Sequence, residues 1–214
     1  MDVKLSDFIY TADDALTKEF CSHVIEKFEN DDRKAQGVLG TNKIVDKTIK
    51  DSTDLVISKV KKDWGEEDHT FFTSISNQLD YYWQSLDSIH ERLIPIGPHT
   101  KVQDQGYQVK RYEPDGYYHW HQDYVVDNDY GARALTFIWY LNDQTEAGET
   151  EFLDGTIITP KAGKLLIFPA TWCFLHRGLP PKVGRKYIAT GWLSTKPNDD
   201  LFSIPNSPGN WTVL

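Results

Sequence analysis

Residues 118–123 read Tyr-His-Trp-His-Gln-Asp, and the predicted architecture follows from this short segment. Successive side chains of an extended strand point to opposite faces, so His121 and Asp123 project from the same face. A third ligand from elsewhere would complete the two-histidine, one-carboxylate facial triad of non-haem iron(II), which leaves positions open for substrate and oxygen. The pair alone does not establish a metal site, because His-x-Asp is also common on solvated strand faces.

The composition is that of a globular protein with many aromatic side chains. The 214 residues are enough for one domain with a full core, and they include seven Trp, eleven Tyr and ten Phe. The formal net charge of −9 disfavours a surface that grips nucleic-acid phosphates, so we expect no nucleic-acid partner. Only Cys21 and Cys173 are present, which implies no disulfide framework.

The sequence shows no segment that predicts export or membrane insertion. Residues 1–7 lack a basic segment followed by an apolar run, and no stretch is long and apolar enough to span a bilayer. We therefore expect a soluble cytoplasmic protein of a reducing compartment, with no signal peptide and no membrane partner.

The first hundred residues are predicted to be largely helical. Apolar residues recur every three or four positions in two long segments, and Thr11 is placed to cap the first of them. The predicted elements are a strand over 5–10, a helix over 12–29, a strand over 54–57 and a helix over 69–93 that Pro95-Ile96-Gly97-Pro98 ends.

After residue 104 the pattern changes to short β-type runs separated by Gly, Pro, Asn and Asp. Many short strands with tight turns indicate a sandwich or barrel. The predicted strands cover 105–112, 117–125, 134–141, 150–153, 155–159, 164–168, 173–177 and 186–194, with turns at Asp115-Gly116 and Ala162-Gly163.

Two later residues extend the pattern that begins with His121 and Asp123. His176 follows an apolar run, and Lys186 lies ten residues beyond it. His-x-Asp, a distal His about fifty residues later and a Lys or Arg about ten residues further resembles the iron(II)- and 2-oxoglutarate-dependent dioxygenases, in their prolyl 4-hydroxylase-like branch. The resemblance runs from Gln108 to Leu193 and includes Arg111-Tyr112, Tyr118, Ala134 to Asn142, Gly148 to Phe152, Pro160 to Gly163 and Phe168-Pro169.

The resemblance implies a fold and an organisation of the chain. The expected fold is α+β and mainly β, a double-stranded β-helix of the jelly-roll or cupin-like type. Residues 104–195 would form this catalytic core, and residues 1–100 would supply supporting helices and flanking strands. The whole chain, 1–214, is expected to be a single domain.

It also implies the roles of several residues. His121, Asp123 and His176 would bind iron(II) as the catalytic triad. Lys186 would bind the far carboxylate of 2-oxoglutarate, because the charges of iron, Asp123, Lys186 and the dianion then sum to zero, as a partly desolvated site requires. Tyr118 is expected to donate a hydrogen bond to the same carboxylate, with Tyr112 as the weaker candidate.

Arg185 competes with Lys186 for the cosubstrate, because some relatives place an Arg nine residues after the distal His. Neighbours on a strand point to opposite faces, so only one of the two can enter the barrel. The offset favours Lys186. His119 shares the predicted face of His121, and we interpret it as a residue that does not bind the metal.

The implied reaction is hydroxylation of an unactivated C–H bond, with O2 consumed and succinate and CO2 released. A prolyl residue of a peptide or protein is the favoured substrate, and a free amino acid or other small molecule is the alternative. Ascorbate is expected as a reductant. Because Asp123 is retained where halogenating relatives carry a small residue, hydroxylation is predicted. The absence of targeting signals suits a bacterial or viral protein.

Two other interpretations remain open from the sequence. One is a cupin metalloenzyme that uses His119 and His121 together, although the Glu and second His expected of such enzymes are missing. The other is a non-catalytic jelly-roll binding module, which leaves the position of Lys186 unexplained. Trp120, Trp172, Tyr124 and Tyr130 are candidates for the substrate mouth, and Cys173 is predicted to be a small core residue.

Overall fold

Twelve strands and two α-helices form the part of the chain that the computed structural model describes, residues 3–40, 43–87, 102–127 and 131–195. The strands are β1 (Tyr10–Ala12), β2 (Ala35–Gln36), β3 (Thr53–Val56), β4 (Val102–Tyr112), β5 (Tyr118–His121), β6 (Val126–Asp127), β7 (Gly131–Tyr140), β8 (Thr150–Phe152), β9 (Ile157–Ile158), β10 (Leu165–Pro169), β11 (His176–Gly178) and β12 (Lys186–Thr195), and the helices are α1 (Lys18–Asn30) and α2 (Lys61–Asp87).

The strands form two antiparallel sheets that face each other. The larger sheet has the order β1-β10-β7-β12-β4-β3-β2, with β6 paired to β7, and the smaller sheet has the order β5-β11-β8-β9. Side chains from both sheets line a common cavity. This is the predicted mainly β, double-stranded β-helix architecture, and β1, β2 and β3 of the first hundred residues belong to its larger sheet.

The central strand β12 is buried on both faces over most of its length. Alternate residues from Lys186 to Trp192 point into the cavity, whereas Tyr187, Ala189 and Leu193 belong to the core on the opposite face. The larger sheet therefore separates the cavity from a second apolar layer.

That second layer is formed by the two helices. Cys21, Val24 and Phe28 of α1 and Phe71 and Ile75 of α2 are fully buried against the sheet, and the Phe71 ring lies 5.0 Å from the ring of Trp139. Each large apolar side chain buried in this way stabilises the fold by about 2 kcal/mol. The helices therefore support the wall of the cavity from behind. No helix among the described residues is long and apolar enough to cross a membrane.

The start of the first helix differs from the prediction. Helix α1 begins at Lys18, and the hydroxyl of Thr17, not that of Thr11, accepts a hydrogen bond from the Phe20 amide (3.1 Å). Thr11 instead lies in β1, opposite Leu166 of β10. The predicted strand over 5–10 is also wrong in its first part, because Leu5–Phe8 form a 3-10 helix.

The second helix begins eight residues earlier than predicted, at Lys61, with a kink at Trp64. Residues 88–93 of that prediction, and the stop at Pro95 to Pro98, lie outside the described residues. The predicted strand over 54–57 corresponds to β3, and the eight predicted strands after residue 104 correspond to β4, β5, β7, β8, β9, β10, β11 and β12 with small shifts at their ends.

Candidate active site

One cavity of about 200 Å³ lies between the two sheets, and the sequence-predicted site residues converge on it. Polar and charged side chains line it together with aromatic and aliphatic ones. The polar and charged lining residues are Lys50, Gln108, Lys110, Tyr112, Tyr118, His121, Gln122, Asp123, Arg133, Thr150, His176, Lys186 and Thr190.

Three potential ligands meet at the smaller sheet. His121 is the last residue of β5, Asp123 follows it by two residues, and His176 is the first residue of β11, where it pairs with His121. The Nε2 atom of His121 lies 3.9 Å from Asp123 Oδ1, and that of His176 lies 3.7 Å from Asp123 Oδ2. One donor atom from each residue lies within 4.8 Å of the others, which is the spacing a single metal ion needs.

Backbone hydrogen bonds fix which nitrogen of each imidazole is available. Nδ1 of His121 lies 2.8 Å from the His119 carbonyl oxygen, and Nδ1 of His176 lies 3.0 Å from the Phe174 carbonyl oxygen. A carbonyl oxygen only accepts, so each Nδ1 carries the proton and donates it. The lone pairs of both Nε2 atoms are therefore directed toward Asp123, ready to bind a cation.

The protonation states of His121 and Asp123 also suit a metal ion. Burial, and then the neighbouring His176, lower the pKa of His121, so its imidazole is neutral near pH 7. Burial opposes ionisation of Asp123, but His176, His121 and a hydrogen bond from the Thr136 hydroxyl (2.8 Å) outweigh it and lower the pKa of that carboxyl. Two neutral imidazoles and one carboxylate are the donor set that ferrous iron takes in non-haem oxygenases.

Lys186, the first residue of β12, lines the same cavity from the larger sheet. The residue is 3% exposed, and its Nζ lies 5.5 Å from the ring of Tyr112 and 5.9 Å from that of Tyr140. The Lys186 ammonium makes no hydrogen bond or ion pair with any residue that the structure describes. Burial lowers the pKa of Lys186 to about 8, and the nearby Glu149 opposes this only in part. A buried ammonium facing a cavity in this way fits the far carboxylate of a 2-oxoglutarate molecule.

Arg185 points away from the cavity. Its guanidinium pairs with Glu113 (3.0 Å) and with Glu29 (3.6 Å) on the outer side of the larger sheet, and its side chain is about half exposed. The predicted alternative, in which Arg185 enters the barrel, is thus contradicted by its position.

Both predicted tyrosines line the cavity. The ring of Tyr118 stacks on that of His121, with the ring centroids 3.5 Å apart, and Tyr112 is opposite Lys186 in the pairing of β4 with β12. Burial raises the pKa of both hydroxyls, so they remain protonated and can donate hydrogen bonds.

His119 is separated from the triad. Its side chain is exposed and its ring lies 4.7 Å from that of Tyr117, so only its backbone carbonyl contacts His121. This position contradicts the cupin interpretation, which needs both imidazoles on one metal. Cys173 is exposed as well, so its prediction as a small core residue is wrong.

Three large aromatic residues lie next to the triad along the chain. Trp120 is 37% exposed and packs on the Arg177 guanidinium, whereas Trp172 is 69% exposed and contacts the ring of Tyr124. Tyr130, the fourth mouth candidate, lies outside the described residues.

Sequence reasoning missed several residues that the fold brings to the cavity. Thr136 of β7 holds Asp123 from the opposite sheet, and Lys50 and Lys110 add positive charge. Lys110 had a detectable signal, because it lies two residues before Tyr112 and therefore shares its face of the strand. Thr136 and Lys50 had none, because only the tertiary fold places them there.

The fold and the geometry together define a class of protein. A double-stranded β-helix that carries two histidines, one aspartate and a buried lysine in one cavity has the features of the 2-oxoglutarate-dependent oxygenases.

Comparisons with known proteins agree with this class. The family model of the 2OG-Fe(II) oxygenase superfamily matches residues 107–194. Prolyl 4-hydroxylase 1 of Arabidopsis thaliana is 26% identical over 165 residues, which cover 64% of this chain and 56% of the plant protein. A putative prolyl 4-hydroxylase of Acanthamoeba polyphaga mimivirus is 34% identical over 104 residues, which cover 40% of this chain and 43% of the viral protein.

Solved structures share the fold. The viral collagen prolyl hydroxylase of Paramecium bursaria Chlorella virus-1, solved with 2-oxoglutarate, gives a TM-score of 0.57 at 23% identity, over 87% of this chain and 95% of that one. A prolyl hydroxylase of Trichoplax adhaerens, solved with a peptide fragment of hypoxia inducible factor, gives a TM-score of 0.65 at 17% identity. The match covers 89% of this chain and 84% of that one.

Residues 107–194 of the chain are thus similar to the 2OG-Fe(II) oxygenase superfamily, and the curated relatives that the chain matches are prolyl 4-hydroxylases. Members of this superfamily use iron(II), 2-oxoglutarate and O2. The chain spans about half the length of the first curated relatives it matches.

Proposed function

We propose that the protein is an iron(II)- and 2-oxoglutarate-dependent dioxygenase that hydroxylates a prolyl residue of a peptide or protein. The observation that supports this most directly is the convergence of His121, Asp123, His176 and Lys186 on one cavity. The substrate is inferred from the relatives, which are named as prolyl hydroxylases.

In this proposal His121, Asp123 and His176 hold the metal. Bound iron, together with 2-oxoglutarate and O2, supplies the oxidising power that replaces a C–H bond by C–OH and releases succinate and CO2. The contribution of the side chains is to keep both imidazoles in the Nδ1–H form and the carboxylate ionised and oriented by Thr136.

Lys186 is proposed to orient 2-oxoglutarate through its far carboxylate, with the Tyr118 and Tyr112 hydroxyls as further donors. The dianion, the ferrous ion, Asp123 and Lys186 then sum to zero charge, which removes the cost of keeping the Lys186 ammonium alone in a buried site. Burial of His176 and Lys186, each 3% exposed, limits the access of water to this end of the cavity.

The exposed rings of Trp120 and Trp172 beside the triad suit a peptide substrate, because aromatic side chains supply large contact areas at protein surfaces. A free amino acid or another small molecule is the alternative substrate. A purely binding jelly-roll module would not require a buried ammonium and a metal-ligand triad in one cavity. We also propose ascorbate as the reductant and a reducing compartment, in which Cys21 and Cys173 remain thiols.

The test is to supply the purified protein with iron(II), 2-oxoglutarate, ascorbate and O2, and to measure succinate and the addition of one oxygen atom to proline-containing peptides. We expect both products from the wild type and from His119→Ala, whose side chain lies outside the triad. We expect neither from His121→Ala. Equal succinate formation by the wild type and His121→Ala would show that free iron, and not this site, is responsible.

A further inference from the structure

We propose that Lys110 binds a carboxylate of the substrate, so that the enzyme selects proline compounds with an acidic group beside the reacting ring. This inference rests on the proposed function and adds a substrate class to it. The supporting feature is a cluster of three charged side chains, Lys50, Asp54 and Lys110, in the wall of the cavity.

The cluster contains two ammonium groups and one carboxylate. Lys50 Nζ lies 2.6 Å from Asp54 Oδ2, and Lys110 Nζ lies 3.9 Å from the same oxygen. All three side chains are at least nine-tenths buried. Asp54 of β3 is opposite Lys110 of β4, so both side chains point to the same face of the sheet. Since Asp54 makes its close contact with Lys50, the charge of Lys110 is only partly balanced.

Lys110 is directed to a different part of the cavity from Lys186. Its Nζ lies 5.8 Å from the ring of Trp192, whereas the Nζ of Lys186 lies between the rings of Tyr112 and Tyr140. Trp192 is six residues along β12 from Lys186. Lys110 itself pairs with Ile188, two residues from Lys186, so the two ammonium groups line neighbouring parts of one cavity and approach different aromatic rings, and we assign them to two different anions.

The charges of the groups around the cavity indicate what kind of anion would bind Lys110. Ferrous iron, dianionic 2-oxoglutarate, Asp123 and Lys186 sum to zero, and so do Lys50 and Asp54. Asp123 also acts on Lys110, but its charge is already matched within the metal site. Lys110 shares its nearest carboxylate, that of Asp54, with Lys50, and a buried positive charge that is only partly paired is costly. A substrate carboxylate would neutralise it, and a neutral prolyl ring would not.

Arg133 also lines the cavity near Lys110. Its guanidinium stacks 3.7 Å from the ring centre of Trp192, on the same indole that Lys110 approaches. Lys110 and Arg133 thus approach one indole ring from two strands, which places Trp192 beside Lys110 in the wall of the cavity.

The carboxylate has two possible sources, which one binding experiment separates. The protein is loaded with Mn(II) and 2-oxoglutarate without oxygen, and calorimetry compares three pairs of probes. Two pairs are acetylated, amidated peptides, Ala-Glu-Pro-Ala with Ala-Gln-Pro-Ala and Ala-Pro-Glu-Ala with Ala-Pro-Gln-Ala. The third pair is N-acetylproline with N-acetylprolinamide. We expect the acidic member of at least one pair to bind about tenfold more tightly, as a charge-assisted hydrogen bond provides.

Variants test whether Lys110 causes the preference. Lys110→Met should abolish it and still fold, because Asp54 keeps Lys50 as its partner. Asp54→Asn should increase it, because both ammonium groups then lack a carboxylate. Lys161→Met, at an exposed pair with Asp13, is the matched control and should keep the wild-type preference.

Each outcome decides the inference. A preference in the peptides indicates an acidic side chain, a preference in the proline derivatives indicates an α-carboxylate, and both support the proposal. Equal binding within all three pairs overturns it, as does a preference that survives in Lys110→Met. Loss of 2-oxoglutarate affinity in that variant, without loss of a preference, would assign Lys110 to the cosubstrate instead. Succinate formation, measured separately, shows whether the proposed function itself holds.

Discussion

The orientation of the triad depends on side chains that are not themselves metal ligands. Thr136 illustrates this, because it lies on the larger sheet and yet holds Asp123, which follows a strand of the smaller sheet. Its hydroxyl is the hydrogen-bond donor that keeps one carboxylate oxygen in place while the other faces His121. Residues that orient a ligand in this way tune metal affinity without touching the metal.

We predict that Thr136→Val, which removes the hydroxyl at nearly constant volume, weakens Mn(II) binding by about 10- to 100-fold. Thr136→Ser keeps the donor and should bind Mn(II) like the wild type, as should Thr73→Val on an exposed part of α2. Free Mn(II) measured by electron paramagnetic resonance gives the dissociation constants. Unchanged affinity in Thr136→Val would show that Asp123 does not need this hydrogen bond.

Lys186 gives a prediction of pH dependence. Its pKa is lowered to about 8 by burial, so in the protein without 2-oxoglutarate the ammonium predominates below pH 8 and the neutral amine above it. Because the dianion needs the ammonium, the affinity for 2-oxoglutarate should fall above pH 8, by up to about tenfold for each pH unit. Calorimetric titration with Mn(II) present measures this. In Lys186→Arg the cation persists, so any remaining binding should be independent of pH up to 9.5, and a flat profile in the wild type would contradict the prediction.

Among the elements, the strands were easier to predict than the helix ends. The eight strand predictions after residue 104 depended on alternation and on turn residues, and both act locally. The start of α1 was misplaced because Thr11 and Thr17 are equally good caps by residue type. Thr11 of β1 pairs with Leu166 of β10, so Thr17 is left to cap the helix. That pairing joins residues far apart in the sequence.

The two threonines therefore provide a matched test of the helix start. Thr17→Ala removes the hydroxyl that accepts the Phe20 amide and should lower the free energy of unfolding by about 1 kcal/mol. Thr11→Ala, in β1, removes no cap, so its loss should be smaller. Urea denaturation followed by circular dichroism compares the variants. A larger loss for Thr11→Ala would place the cap where the sequence pattern suggested.

In the molecule as a whole, the site joins elements that are distant in sequence. The spacing pointed to four residues, His121, Asp123, His176 and Lys186, and β5 and β11 of the smaller sheet and β12 of the larger sheet bring them to one cavity. Lys50 and Asp54 were not found, because a short predicted strand over 54–57 does not show that β3 pairs with β4 and brings these side chains to the cavity wall. The fold class followed from the sequence, whereas the full charge of the cavity required the structure.

Ligands that bridge the two sheets should stabilise the whole fold. The triad lies at the smaller sheet and Lys186 belongs to the larger one, so metal and 2-oxoglutarate bound as proposed would connect both. At a hundredfold excess over the dissociation constant, binding should add about 2.7 kcal/mol to the free energy of unfolding. Thermal unfolding with Mn(II) and 2-oxoglutarate should show a higher Tm for the wild type. His121→Ala should show little change, and an equal shift in both proteins would mean that the ligands bind elsewhere.

Arg185 and Lys186 are adjacent, yet one anchors the exterior through Glu29 and Glu113 and the other enters the chamber. A slip of β12 by one residue would exchange them, because each position along a strand faces the opposite side from the next. The bulky guanidinium would then occupy the interior and the glutamates outside would lose their partner. Inserting one residue into the turn at Gly184 is the kind of change that would cause this slip. Activity would then be lost although every functional side chain is still present.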